Sequence, residues 1–176
     1  QWLLLAVLLL FGVAATYWLL ANRWLRQWIG EGEARPSPSE PLPPITFLRP
    51  LKRNIPRLVA TLETLVQAMR PGDQLLLGLE VDSEALVVCE ELRSRFPERD
   101  IELVRCVRST GQNPKICKLT QMAPQARHEH WILSDSEALL DRTFLEAFRS
   151  EWATSGAGVL TAGYRFIHLH TLPKQL

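Results

Sequence analysis

The chain opens on an unbroken apolar run and then changes rhythm. Residues 2–21 carry no charged side chain, and about twenty such residues can cross roughly 30 Å of hydrocarbon as a helix. Beyond residue 44 the apolar positions fall into short continuous runs that alternate with helix-spaced stripes. The run 45–48, closed by Pro50, reads as a strand. Over 56–69, Leu58, Leu62, Leu65, Val66 and Met69 share one helical face, with proline in the first turn and Pro71-Gly72-Asp73 as the stop. The run 75–79 reads as a strand covered on both faces. The pattern then predicts a helix over 83–96, a strand over 101–107, a helix over 115–127, a strand over 131–133, a helix over 142–152 and a fifth strand over 158–162. Strands separated by helices imply right-handed crossovers, so the expected class is α/β, a mainly parallel sheet flanked by helices.

The first run has the flanks of a membrane anchor. Trp2, Tyr17, Trp18, Trp24 and Trp28 cluster near its ends, where amphipathic rings favour the headgroup zone, and Arg23 and Arg26 follow it before any acid appears. That basic flank predicts a single pass with the globular part cytosolic. A cleaved signal peptide fits less well, because the apolar run continues past Ala14-Ala15 and lacks a basic segment before it. A buried core helix would need a polar face, which is missing. Residues 1–28 are therefore expected to be the anchor. Residues 29–44, with prolines at 36, 38, 41, 43 and 44, are expected to be a semi-rigid linker.

Composition narrows the remainder. After the anchor about 145 residues remain, enough for one domain with its own core. Lys+Arg total 20 against 19 Asp+Glu, which argues against a nucleic-acid partner. Three cysteines without metal-ligand spacing suggest reduced thiols. His128 and His130 alternate as on a strand face, but no further ligands accompany them, and His168 and His170 read as exposed. No internal repeat, GxGxxG or Walker motif is present, so dinucleotide and P-loop chemistry are unsupported.

Chemistry-bearing residues gather at the predicted strand ends. The first strand ends in Arg49-Pro50-Leu51-Lys52, the second in Glu80-Val81-Asp82, and the fourth in Asp135-Ser136-Glu137; the loop 108–115 follows the third. Ligands of open parallel sheets bind outside the carboxyl ends of the strands. Two acids at i and i+2 suit a hard divalent cation, and nearby lysines suit a diphosphate. Each residue also has a plainer reading. Asp135 or Ser136 could cap a helix, as could Asp82. Pro50 could simply end its strand, Asn113-Pro114 could be a turn before a helix, and Lys115 could be solvated in its first turn. Arg49, Lys52, Arg53 and Arg57 could lie along anionic headgroups.

The segments ITFLRPLKRN (45–54), LLLGLEVDSEA (75–85), GQNPKICKL (111–119) and WILSDSEALL (131–140) resemble, in order and spacing, the ceramide glucosyltransferase family, which includes bacterial hopanoid-biosynthesis glycosyltransferases. The resemblance covers roughly residues 1–160. It implies a membrane-anchored GT-A domain that uses a UDP-sugar donor, a lipid acceptor and Mg²⁺ or Mn²⁺. By that resemblance Pro50 sits at the uridine pocket and Asp82 contacts the nucleoside, with Glu80 or Glu84 as substitutes. Asn113 and Lys115 match the family's Asn-Pro-Lys at the donor. Asp135 holds the metal, with Glu137 a weaker second ligand. The reaction implied is an inverting single displacement. The family's general base and its (Q/R)xxRW motif are not found in residues 1–176. The expectation is therefore a truncated enzyme whose residues 45–162 are the donor-binding half and whose 163–176 form a divergent tail. The alternative is a catalytically inactive, membrane-tethered nucleotide-sugar-binding or interaction module.

Overall fold

The computed structural model describes residues 2–31, 42–52, 57–107 and 113–164, without the side chains of 28–31. The N-terminal run forms one helix, α1 (Trp2–Glu31), ending three residues past the expected anchor. Its apolar portion, Trp2–Gln27, has a mean hydropathy of 2.4 and is not buried against the other described residues. Those 26 residues rise about 39 Å at 1.5 Å each, so the helix is long and apolar enough to span a bilayer. Two polar side chains within it bond back to the preceding turn, Thr16 Oγ1 to Gly12 O at 2.8 Å and Asn22 Nδ2 to Trp18 O at 2.9 Å. Satisfying polar groups inside the helix is what a hydrocarbon surround requires.

The globular part runs β1 (Thr46–Pro50), α2 (Leu58–Ala68), β2 (Gln74–Glu80), α3 (Ala85–Arg95), β3 (Asp100–Cys106), α4 (Pro114–Met122), β4 (Trp131–Leu133) and α5 (Arg142–Ser155). All pairings are parallel, in the order β3-β2-β1-β4. The expected α/β class, a parallel sheet flanked by helices, is what the chain adopts. Alternation along β2 divides the core. Leu75, Leu77 and Leu79 join Phe47, Leu62, Leu65, Cys89 and Leu145 on the face carrying α2, α3 and α5. Leu76 joins Leu48, Val104 and Met122 on the α4 face. Gly78 points to that second face, where an added Cβ would press on Met122, 3.2 Å from its Cγ and 3.3 Å from its Cε. The glycine is there because the thioether occupies the space a side chain would need.

Several expected boundaries shift, and one element is overturned. No strand forms over 158–162: after α5 the chain is irregular and largely exposed, with Val159 84% exposed. An apolar run becomes a strand only beside a partner ladder, and the described residues offer none to this one. The helix expected over 115–127 stops at Met122 and tightens into a 3-10 turn, Ala123–Gln125, around Pro124; proline cannot supply the next helical N–H. The strand expected to close before Pro50 includes it. Thr46 N bonds His130 O and Ser134 N bonds Leu48 O on the β4 side, whereas Leu51 N bonds Gly78 O on the β2 side. Alternation therefore turns the Pro50 nitrogen toward β4, which has already ended at Leu133, so no ladder bond is lost.

Candidate functional site

Parallel order puts the tips of β1, β2 and β4 at one edge of the sheet, and α4 braces them. Asn113 caps α4, its Oδ1 accepting from Lys115 N at 2.9 Å, and Pro114 fills the first turn. The expected turn before a helix is thus present, and it aims two lysines one helical turn apart. Lys115 Nζ lies 2.5 Å from Asp135 Oδ1 at the end of β4. Lys118 Nζ donates to Leu51 O at 2.5 Å, past the tip of β1, and lies 3.3 Å from Glu80 Oε1 at the tip of β2. Lys118 is buried, so its charge rests on those two oxygens. The plain reading of Lys115 as a solvated lysine gives way to an ion pair that crosses from helix to strand tip.

The acidic turn after β4 is not a helix cap. No helix begins at Asp135 or Ser136; residues 134–138 form a turn closed by Ala138 N on Asp135 O at 3.1 Å, and α5 is capped later by Asp141. Asp135 and Glu137 are each about half exposed and each carries a lysine, Lys115 on the first and Lys52, at 2.7 Å, on the second. Tyr164 OH donates to Asp135 Oδ2 at 3.3 Å. The hydrogen bond from Lys115 holds the Asp135 carboxyl below the ordinary carboxylate range, aided by Tyr164 and by the charge of Lys52. Donation to Glu137 in turn raises the pKa of the Lys52 ammonium above its ordinary value. Ser136, between the two acids, is buried with no partner for its hydroxyl among the described residues.

Beneath this turn lies Arg49, fully buried in β1. Its Nε donates to Ser134 Oγ at 3.1 Å, its Nη1 to Thr61 O at 3.4 Å and its Nη2 to Ala138 O. Burial lowers its pKa to about 10, against the charges of Tyr164 and Asp135, so it stays cationic at neutral pH. That placement removes Arg49 from the expected membrane-facing cluster: a guanidinium enclosed by the sheet and α2 cannot reach headgroups. Lys52 is exposed but paired to Glu137, Arg57 is exposed with a left-handed backbone (φ 62), and Arg53 lies outside the described residues.

The remaining expected residues divide. Asp82 is exposed just past β2, at the same sheet edge as Asp135, with β1 between them; two strand spacings make about 10 Å of sheet width. The residue at the cap position of α3 is Glu84, without a side-chain cap bond, and Ser83 Oγ accepts from Ala85 N. Glu80, a substitute for Asp82, is engaged by Lys118. Pro50 is buried at the tip of β1 opposite Gly78. Of the loop 108–115, residues 108–112 lie outside the described residues, as do His168 and His170. A separate cavity of about 260 Å³, lined by Ile45, His130, Arg149 and Trp152 among others, opens at the opposite, N-terminal end of the strands.

Sequence reading missed Lys118 and Tyr164 as partners of the acids, and Arg49 as the anchor of the acidic turn. Lys118 was detectable, since lysines at i and i+3 of a capped helix share a face. Arg49 carried a weaker signal, a charge inside an apolar strand run. Nothing in the sequence pointed to Tyr164.

Among the described residues no group of three or more His, Cys, Asp or Glu side chains is arranged to hold a metal. Asp135 and Glu137 therefore do not fit a caged structural ion. A hard divalent cation such as Mg²⁺ can instead be held by one or two carboxylates, with phosphate and water completing its coordination. The sequence model of the family described as glycosyl transferase family 21 matches residues 4–176, beyond residue 160 where the recognisable motifs end. No solved structure matches the chain.

Proposed function

We propose, on the premise that this chain belongs to glycosyl transferase family 21, that its sheet edge binds the nucleotide diphosphate of a UDP-sugar for transfer to a membrane lipid such as ceramide or a hopanoid-related lipid. The observation that carries this reading is the Lys115–Asp135 contact of 2.5 Å, joining a cation suited to phosphate with an acid suited to a metal. Both groups are half exposed, so a ligand can separate them at low cost: exposed pairs are worth about 0–1 kcal/mol. Lys115 then turns to a phosphate oxygen while Asp135 and Glu137 face the cation. Bound there, Mg²⁺ or Mn²⁺ supplies positive charge against the diphosphate leaving group. Lys118 and Arg49 stay in place and keep the tips of β1, β2 and β4 in register. Asp82, across β1, is assigned to the nucleoside and Pro50 to the floor of its pocket, while Asn113 fixes the helix start that aims Lys115.

The acceptor side of the proposal draws on α1. A helix long and apolar enough to span a bilayer confines the domain to the surface where a lipid substrate resides. We assign the globular part to the cytosolic side from Arg23 and Arg26.

The test is titration of the detergent-solubilised full chain with UDP-sugar, with and without Mn²⁺, against Asp135→Asn. Expected is binding that needs Mn²⁺ and weakens at least about tenfold in the variant, as ligand-shell losses do, while the melting temperature stays near that of the wild type. Equal Mn²⁺-dependent binding by both proteins would remove Asp135 from the site. No binding by the wild type would leave an interaction module. Assays with ceramide, diacylglycerol and hopanoid acceptors then address transfer and acceptor class.

A further inference from the structure

We infer that Arg49 is a positioning residue for the acidic turn, its guanidinium gripping residues 134 and 138 from below so that Asp135 and Glu137 are presented together to a metal–diphosphate; this rests on the nucleotide-sugar reading above. The strand that delivers the turn is weakly held. β4 pairs with β1 over three residues, and its last ladder bond is Ser134 N to Leu48 O at 3.2 Å. Past that bond, the described backbone contact within the turn is Ala138 N to Asp135 O. Arg49 reaches both ends of the turn, Ser134 Oγ through Nε and Ala138 O through Nη2, and anchors to Thr61 O of α2 through Nη1. Three donors in a rigid plane fix an orientation that a single ammonium cannot. Its enclosed positive charge also acts on the Asp135 carboxylate, offsetting part of the repulsion between that group and Glu137 when both face one cation. A side chain that merely filled core volume would need no charge here, because a buried charge costs stability unless it is fully bonded.

The closing experiment uses the solubilised full chain and two readouts, one of which needs no ligand. The first is UDP binding with and without Mn²⁺ in wild type, Arg49→Gln, Arg49→Lys and Ser134→Ala. Expected is at least about a tenfold rise in the Mn²⁺ concentration needed by Arg49→Gln, in the range of outer-shell losses. Partial rescue is expected in Arg49→Lys, a smaller loss in Ser134→Ala, and unchanged metal-free UDP affinity in all three. The second readout is amide hydrogen exchange at Ala138, expected to speed up in Arg49→Gln while β2 amides keep their protection. Wild-type Mn²⁺ dependence together with wild-type Ala138 exchange in Arg49→Gln overturns the assignment. Should Arg49→Gln not fold, Ser134→Ala decides alone, because it removes one bond and keeps the charge. Should the wild type show no Mn²⁺-dependent binding, the nucleotide reading fails by itself, and exchange at Ala138 still decides whether Arg49 holds the turn.

Discussion

Asp73→Ala probes the frame beneath the site. The Asp73 carboxylate accepts from Ile45 N at 3.0 Å, from Arg70 N at 2.7 Å and from Arg149 Nη2 at 2.6 Å. The Asp73 and Arg149 side chains are 1% and 2% exposed. Arg149 also donates to Pro43 O at 3.1 Å, so the pair ties the chain entering β1 to the turn before β2 and to α5. Removing the carboxylate strands a buried guanidinium, which costs about 3–5 kcal/mol. It also leaves the Ile45 amide without its acceptor, a loss of about 1–3 kcal/mol. Because the three donors share one acceptor the losses overlap, and about 4 kcal/mol is expected in total. For a domain of this size 1 kcal/mol moves the melting temperature by roughly 2–8 °C, so a fall of about 8–30 °C should appear in near-UV circular dichroism of the solubilised chain. Arg149→Met alone should cost about 3 kcal/mol, and the double variant less than the sum, with a coupling of about 1–3 kcal/mol. A melt of Asp73→Ala within about 3 °C of wild type, or strict additivity in the cycle, would refute this account of the pair.

Three further outcomes follow from other contacts. Gly78→Ala should destabilise by about 1–3 kcal/mol through collision with Met122, and adding Met122→Val should recover most of it; equal melts for Gly78→Ala and wild type would contradict the packing. Cys89 is fully buried and burial pushes its thiol up to about 12; iodoacetamide at pH 8 should label it only after unfolding, as read by mass spectrometry, and stoichiometric native labelling would count against its enclosure. The Asp135 carboxyl is lowered in the folded chain, so its pairing stabilises above the unfolded carboxylate range near 4 and that contribution disappears as pH falls through the lowered folded value. Lys115→Met should flatten the acid limb of the stability curve by a small amount, under about 1 kcal/mol for so exposed a pair; an unchanged limb would place the Asp135 shift elsewhere.

Much of this architecture is written locally. Four apolar runs, each separated by a helix-spaced stripe, are enough to specify α/β order, because a side-chain period and a chain-length limit decide strand against helix residue by residue. Local chemistry likewise fixes the cap at Asn113-Pro114 and the stop at Pro71-Gly72. The acids at the ends of β2 and β4 were legible for the same reason: in a parallel sheet, strand direction alone sends them to one edge. The run 158–162 shows where such reading ends, since a strand exists only with a neighbour, and a neighbour is a property of the assembled sheet.

Charges gave the larger surprise. Lys115, Lys118, Arg49 and Arg149 look alike in one dimension, yet the fold exposes the first by half and buries the other three. Burial of an ionised group is set by whether distant segments bring enough oxygen acceptors around it, here Ser134, Thr61 and Ala138 for Arg49, and Glu80 and Leu51 for Lys118. The chain's letters determined which elements form and which edge collects the acids. Only the packed molecule decided which cations hold that edge together from inside and which stay at its surface, because desolvation depends on neighbours separated by tens of residues.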